Sequence, residues 1–192
     1  MAITEYTPIH GVSAFGTFTA TSTTAGGDTN TYNADNVYTK TSWGYTSEEG
    51  ARIVPTVNRI EQRSGQSAAV LDSFIESVGG QLQIRMLSGH LTNLRRMMGL
   101  PESSLSGDLS AGSPTKEVLL VSGAELGTEE QQLYLETMGP RGARTYYFPR
   151  AKVTSFPEQA HSRSEYFEPN GSFDLYEEET GGLLYWIEDA TA

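Results

Sequence analysis

The chain has 192 residues, 37% of them apolar, no cysteine and a formal net charge of -11. This length suits a single domain, 1–192. The missing thiols exclude disulfides, thiolate metal sites and cysteine nucleophiles, and the charge opposes a stable grip on nucleic acid, whose affinity comes from Lys and Arg displacing counterions. There is no run of about 18 apolar residues, and no basic start followed by an apolar stretch in the first residues, so neither a membrane span nor an export signal is expected.

Residues 1–47 are rich in Thr, Ser, Gly and Asn with aromatics interspersed, and predict an extended strand or N-terminal arm and loop region. Within it, the stretch Thr21 to Asn36 has turn chemistry and little to bury, which predicts a loop. From Ala51 the β signal strengthens and runs to Glu61. Pro55 cannot donate to a ladder, so this strand belongs on a sheet edge or at a bulge. A second run covers 68–78. Gly79-Gly80 then predicts a hairpin turn into the clearest alternation of the chain, with Leu82, Ile84 and Met86 on one face and Gln81, Gln83 and Arg85 on the other.

The period then changes to nearly four. Leu91, Leu94, Met97 and Met98 line one side of a predicted flanking helix over 88–99, with Ser88 as its cap and Gly99 as its stop. Residues 102–116 predict an exposed connection. Short strands follow near 118–121, 133–138, 146–154, 162–167, 172–177 and 183–188, separated by turn signals that include Gly139-Pro140, Asn170-Gly171 and Gly181-Gly182. The fold class expected is all-β, a sandwich or barrel with one short helix.

Signals for chemistry are weak. His10, His90 and His161 lack the spacing that puts two imidazoles on one helix face. Gly65-Gln66-Ser67 lacks the closing glycine and the strand-to-helix setting of a nucleophile elbow. Asp28, Asn30, Asn33 and Asp35 offer oxygen ligands, yet miss the glycine and distal glutamate of a calcium loop. Glu177-Glu178-Glu179 reads as a solvated turn, or as a DNA-repelling or subunit-pairing surface. No catalytic residue, cofactor or metal site is expected, and the chain is read as a non-enzyme.

Three passages resemble the major tail tube proteins of long-tailed bacteriophages. They are Gly50-Ala51-Arg52-Ile53-Val54-Pro55 continuing to Arg85, His90 to Gly99, and Tyr146-Tyr147-Phe148-Pro149-Arg150 followed by Phe173-Asp174-Leu175-Tyr176 and Tyr185-Trp186-Ile187. The resemblance covers residues 50–190 and rests on pattern and order. It implies a β-sandwich subunit assembling with itself into homohexameric rings, whose strands close a β-barrel lumen and which stack into a virion tail tube for genome ejection. It also implies a tape measure protein inside the lumen, tail terminator and tail tip proteins at the ends, and double-stranded DNA in transit without specific binding. Assembly would take place in the host cytoplasm.

Alternation places Asp72, Phe74 and Glu76 on one face of their strand, and makes Asp72 and Glu76 candidates for the lumen. Two other readings compete: a tube of a contractile injection or type VI secretion system, and a virion decoration or carbohydrate-binding sandwich.

Overall fold

A computed structural model of the chain describes residues 10–22, 36–63, 70–87, 90–108, 116–139, 142–157, 168–178 and 184–189. Ten strands and one α-helix occur among the described residues: β1 His10–Ser22, β2 Asn36–Ser42, β3 Thr46–Arg63, β4 Val70–Met86, α1 Leu91–Met97, β5 Leu105–Asp108, β6 Lys116–Leu119, β7 Glu130–Gly139, β8 Gly142–Ser155, β9 Asn170–Tyr176 and β10 Trp186–Asp189. Eight of them form one antiparallel sheet in the order β2-β1-β7-β8-β9-β4-β3, with β10 on β8, while β5 and β6 form a separate two-stranded sheet. The fold is therefore mainly β with one helix. The large sheet is open, with β2 and β3 as its ends.

The sheet curls over one apolar core. Leu82, Ile84 and Met86 supply the β4 face, Phe173 and Leu175 the β9 face, and Leu133 and Leu135 the β7 face. Phe15 and Trp43 meet at the centre, edge to face, with ring centroids 4.9 Å apart. On β8, two residues, Pro149 and Arg150, span the space opposite the single Gln132, so Phe148 and Ala151 both point into the core. A bulge suits Pro149, which has no N–H for the ladder. The start of β3 returns beside β1, where a Cβ on Gly50 would lie 3.5 Å from Val12.

The helix has seven residues, too few to stand alone, and tertiary contacts hold it. Arg95, 7% exposed, donates from Nη1 to Leu100 O (2.7 Å) and to Glu129 Oε2 (3.2 Å). Gln131 Nε2 donates to Arg96 O at 2.7 Å, and Asn93 Nδ2 donates to Trp43 O. Leu94, Met98 and Leu100 form a second apolar cluster with Leu91, Leu119 and Leu126, which seats β6 against the helix.

Several expectations are corrected. The segment 1–47, read as extended strand or arm, is mostly strand where it is described, supplying β1, β2 and the start of β3 and burying Phe15 and Trp43. Gly79-Gly80 is not a turn: β4 runs straight through it, pairing these residues with Thr56 and Pro55. Gly80 instead provides room, since a Cβ there would lie 3.3 Å from Leu184 and 3.4 Å from Leu175. Asn170-Gly171 is also inside a strand, with Gly171 opposite Ile84 and its bare Cα facing Met97 Cε, 3.1 Å from where a Cβ would sit. The helix begins after His90, which makes no side-chain cap, while Ser88 lies outside the described residues. Gly99 does end it, at φ +59°. The 102–116 connection contains a 3₁₀ turn at Glu102–Ser104 and β5. The strand expected at 162–167 lies outside the described residues.

Candidate assembly surface

The β3–β4 ladder runs from Thr46 opposite Met86 to Arg63 opposite Val70. On its far side β4 meets β9 only from Gly80 to Arg85. The remainder, Thr56–Arg63 with Val70–Gly79, is a two-stranded ribbon with no third strand among the described residues. Eight residues of strand span roughly 25 Å. Both borders of this ribbon therefore present backbone N–H and C=O groups without ladder partners among the described residues. Pro55 lies on β3, the outermost strand, as its chemistry requires.

Two-stranded ribbons are marginal in water by themselves. This one also carries an apolar pair, Val57 directly opposite Val78, which are 49% and 41% exposed. Where the ribbon leaves β9 it forms a groove of about 880 Å³, lined in part by Val54, Thr56, Glu76, Val78 and Arg150.

Asp72 lies on β4 opposite Gln62, and its side chain is outside the description. Glu76 is exposed at the groove. It is the extra residue of a β-bulge, because the partners of Asn58 and Arg59 are Ser77 and Ile75. The period of two expected from Asp72 to Glu76 is thus interrupted at Glu76 itself, and a bulge re-aims the side chain it carries.

Behind the core, the sheet turns a polar face outward. Gln81, Asp174, Lys152 and Glu130 stand in one row across β4, β9, β8 and β7. Asp174 Oδ1 accepts from Gln81 Nε2 and Thr154 Oγ1, each at 3.4 Å, and Gln83 Nε2 donates to Gln81 Oε1 at 2.8 Å. Glu130 binds Lys152 Nζ at 3.5 Å and takes both Arg150 Nε and Arg150 Nη2, the latter at 3.3 Å. The hydrogen bond from Arg150 is the main reason that the Glu130 carboxyl is held below its ordinary value. This row was only partly legible: the alternation of Gln81, Gln83 and Arg85 marks its β4 member, but its partners lie far along the chain, Asp174 93 residues away.

The other face of β1, β2, β7, β8 and β10 holds an aromatic cluster. Phe18, Tyr134 and Tyr147 are buried there against Tyr38 and Trp186. Lys40 Nζ closes it, 5.5 Å from the Tyr134 and Tyr147 ring centres, 3.0 Å from Glu136 Oε2 and 3.1 Å from Thr145 Oγ1. Burial raises the pKa of both tyrosines, and Glu188 adds to the shift at Tyr147. Every polar partner in this cluster is an internal one, so it stabilises the sheet.

Among the described residues no group of three or more His, Asp or Glu is placed to hold a metal, and no helix is long and apolar enough to cross a membrane. His10 opens β1 and His90 precedes α1. His161, Asp28 to Asp35, Gly65-Gln66-Ser67 and Glu179 lie outside the described residues. Glu177 is exposed and Glu178 buried, so they are not a uniformly solvated turn. Comparison with models of known protein families and with curated proteins gives no match.

Proposed function

We propose that this chain is a structural subunit that polymerises with itself into a tube, as the tail tube proteins of long-tailed bacteriophages do. The supporting observation is the β3–β4 ribbon, two strands with open borders and an exposed Val57–Val78 pair. A long unpaired edge is an aggregation hazard unless something covers it. Identical neighbours arranged in a closed ring remove every edge at once.

One chain contributes too few strands to enclose a duplex, since even about 16 to 18 strands make only a pore-sized barrel. Six copies, each lending its ribbon, give a closed β-barrel lumen. Net charge then has a role: an acidic wall denies DNA phosphates any counterion release and lets the genome slide. Asp72 and Glu76, on the ribbon, are the lumen candidates. Tape measure, terminator and tip proteins complete the tail in this reading, and the virion is its location.

Sedimentation of the purified protein across a concentration series tests the proposal. Hexamer and larger closed species are expected; a single monomer boundary at high concentration contradicts it.

A further inference from the structure

The two open borders of the ribbon are not interchangeable. On β4 the free stretch is Val70–Gly79, because β9 takes up the border from Gly80, opposite Leu175. On β3, Pro55 interrupts the row of N–H donors and leaves Thr56–Arg63 as the continuous stretch beyond it. Pro55 and Gly80 face each other, so the two stretches start at one level and run together to the Arg63–Val70 pair.

The groove at the ribbon root is the lane that β9 vacates. Leu175 and Tyr176, from the end of β9, line it together with Val78, Gly79 and Gly80 of β4. Past Tyr176 no strand flanks β4 on that side among the described residues. An extended segment of another chain can add there and continue the ladder.

Strand direction selects which segment. Every neighbouring pair in the large sheet is antiparallel, so β3 and β9 both run opposite to β4. A copy generated by rotation about a ring axis keeps its strands in the same sense along that axis. Its β4 would therefore arrive parallel to β4, and its β3 antiparallel. Joining a border to the same border of another copy needs a two-fold axis, which closes a dimer and leaves the second border open.

Resting on the tube reading, we infer that the vacated lane beside β4 receives the Thr56–Arg63 border of the next copy, in line with β9, and that successive copies are staggered in one direction only. Closing a barrel requires a stagger. A shift toward the core drives Pro55 of the incoming strand into β9, whereas a shift toward Val70 runs along open border. Val57 of one copy thus comes beside Val78 of the next or, with the stagger, beside Glu76. The contact is heterologous, and each joint leaves one border of each kind for the following copy until the ring closes.

Cysteine cross-linking tests this, and the chain has no cysteine of its own. Val57, Glu76 and Val78 are exposed, so single replacements leave the subunit folded. Val57→Cys, Val78→Cys and Glu76→Cys chains are assembled alone or as equal mixtures, oxidised mildly and run on non-reducing gels, with rings monitored by sedimentation. Val57→Cys mixed with Val78→Cys or with Glu76→Cys should give covalent dimers at about ten times the yield of any variant alone, because a disulfide forms only where Cβ atoms come within about 4 Å. Arg59→Cys, also exposed, replaces Val57→Cys if that chain does not form rings, with Glu76→Cys as its partner. Dimers formed as well by one variant alone, or rings whose mixtures yield none, overturn the inference while leaving the tube reading standing. Wild-type protein that never forms rings overturns the tube reading itself.

Discussion

Replacing Val57 and Val78 together by serine separates assembly from folding. The two side chains face each other across the ribbon and remain 49% and 41% exposed in the lone chain. Complete burial of a valine is worth about 1.5 to 3 kcal/mol, so a neighbour covering the exposed portions gains about 1 kcal/mol from each. Removing both lowers the association constant per contact by about 2 kcal/mol, or roughly 30-fold. The isolated subunit should scarcely notice, since substitutions at exposed positions usually stay within about 0.5 kcal/mol. Sedimentation reads the first effect and the thermal midpoint of dilute protein the second. A midpoint lowered by several degrees with unchanged association would refute the reasoning, because the pair would then belong to the subunit's own core.

Other consequences follow from the same geometry. Arg95→Ala leaves the buried carbonyl of Leu100 without its donor and unpins α1, which should cost about 2 to 4 kcal/mol in urea unfolding; Glu129→Ala removes a half-exposed partner and should cost less. Glu130 has its folded-state pKa lowered, chiefly by Arg150, so its contribution is present above the unfolded carboxylate pKa and lost as pH falls through the folded one. Urea midpoints measured from pH 6 down to pH 3 should therefore fall more steeply in the wild type than in Arg150→Met. Asp72→Lys combined with Glu76→Lys should leave tubes intact but slow DNA release in a particle-based ejection assay; ejection at the normal rate would remove both residues from the lumen wall.

The parts of the fold legible in the sequence are those set by local chemistry. Leu82, Ile84 and Met86 alternate because β4 buries one face, Pro55 marks an outer strand because it lacks an N–H, and Gly99 ends α1 because it takes a positive φ. The misreadings involve distant partners. Gly79-Gly80 and Asn170-Gly171 carry turn chemistry, yet Gly80 and Gly171 lie within strands that approach Leu184 and Met97 closely. Nothing adjacent in the chain announces those neighbours. In the Thr-rich beginning the aromatics were visible, but not that Phe15 and Trp43 would meet edge to face in the core, which depends on how β1 and the end of β2 are brought together. On the candidate surface, the acidic character and the strand edge were visible beforehand. The bulge at Glu76 and the Gln81 to Glu130 row depend on register and tertiary approach, which spacing does not encode.

Negative-stain microscopy of the purified chain, concentrated at neutral pH, is the most direct measure of the central claim that the ribbon borders are completed by identical copies. Hollow rings with sixfold symmetry and tubes built from them are the expected image. A uniform field of single particles with the dimensions of one subunit, at concentrations far above those in the sedimentation series, would contradict it.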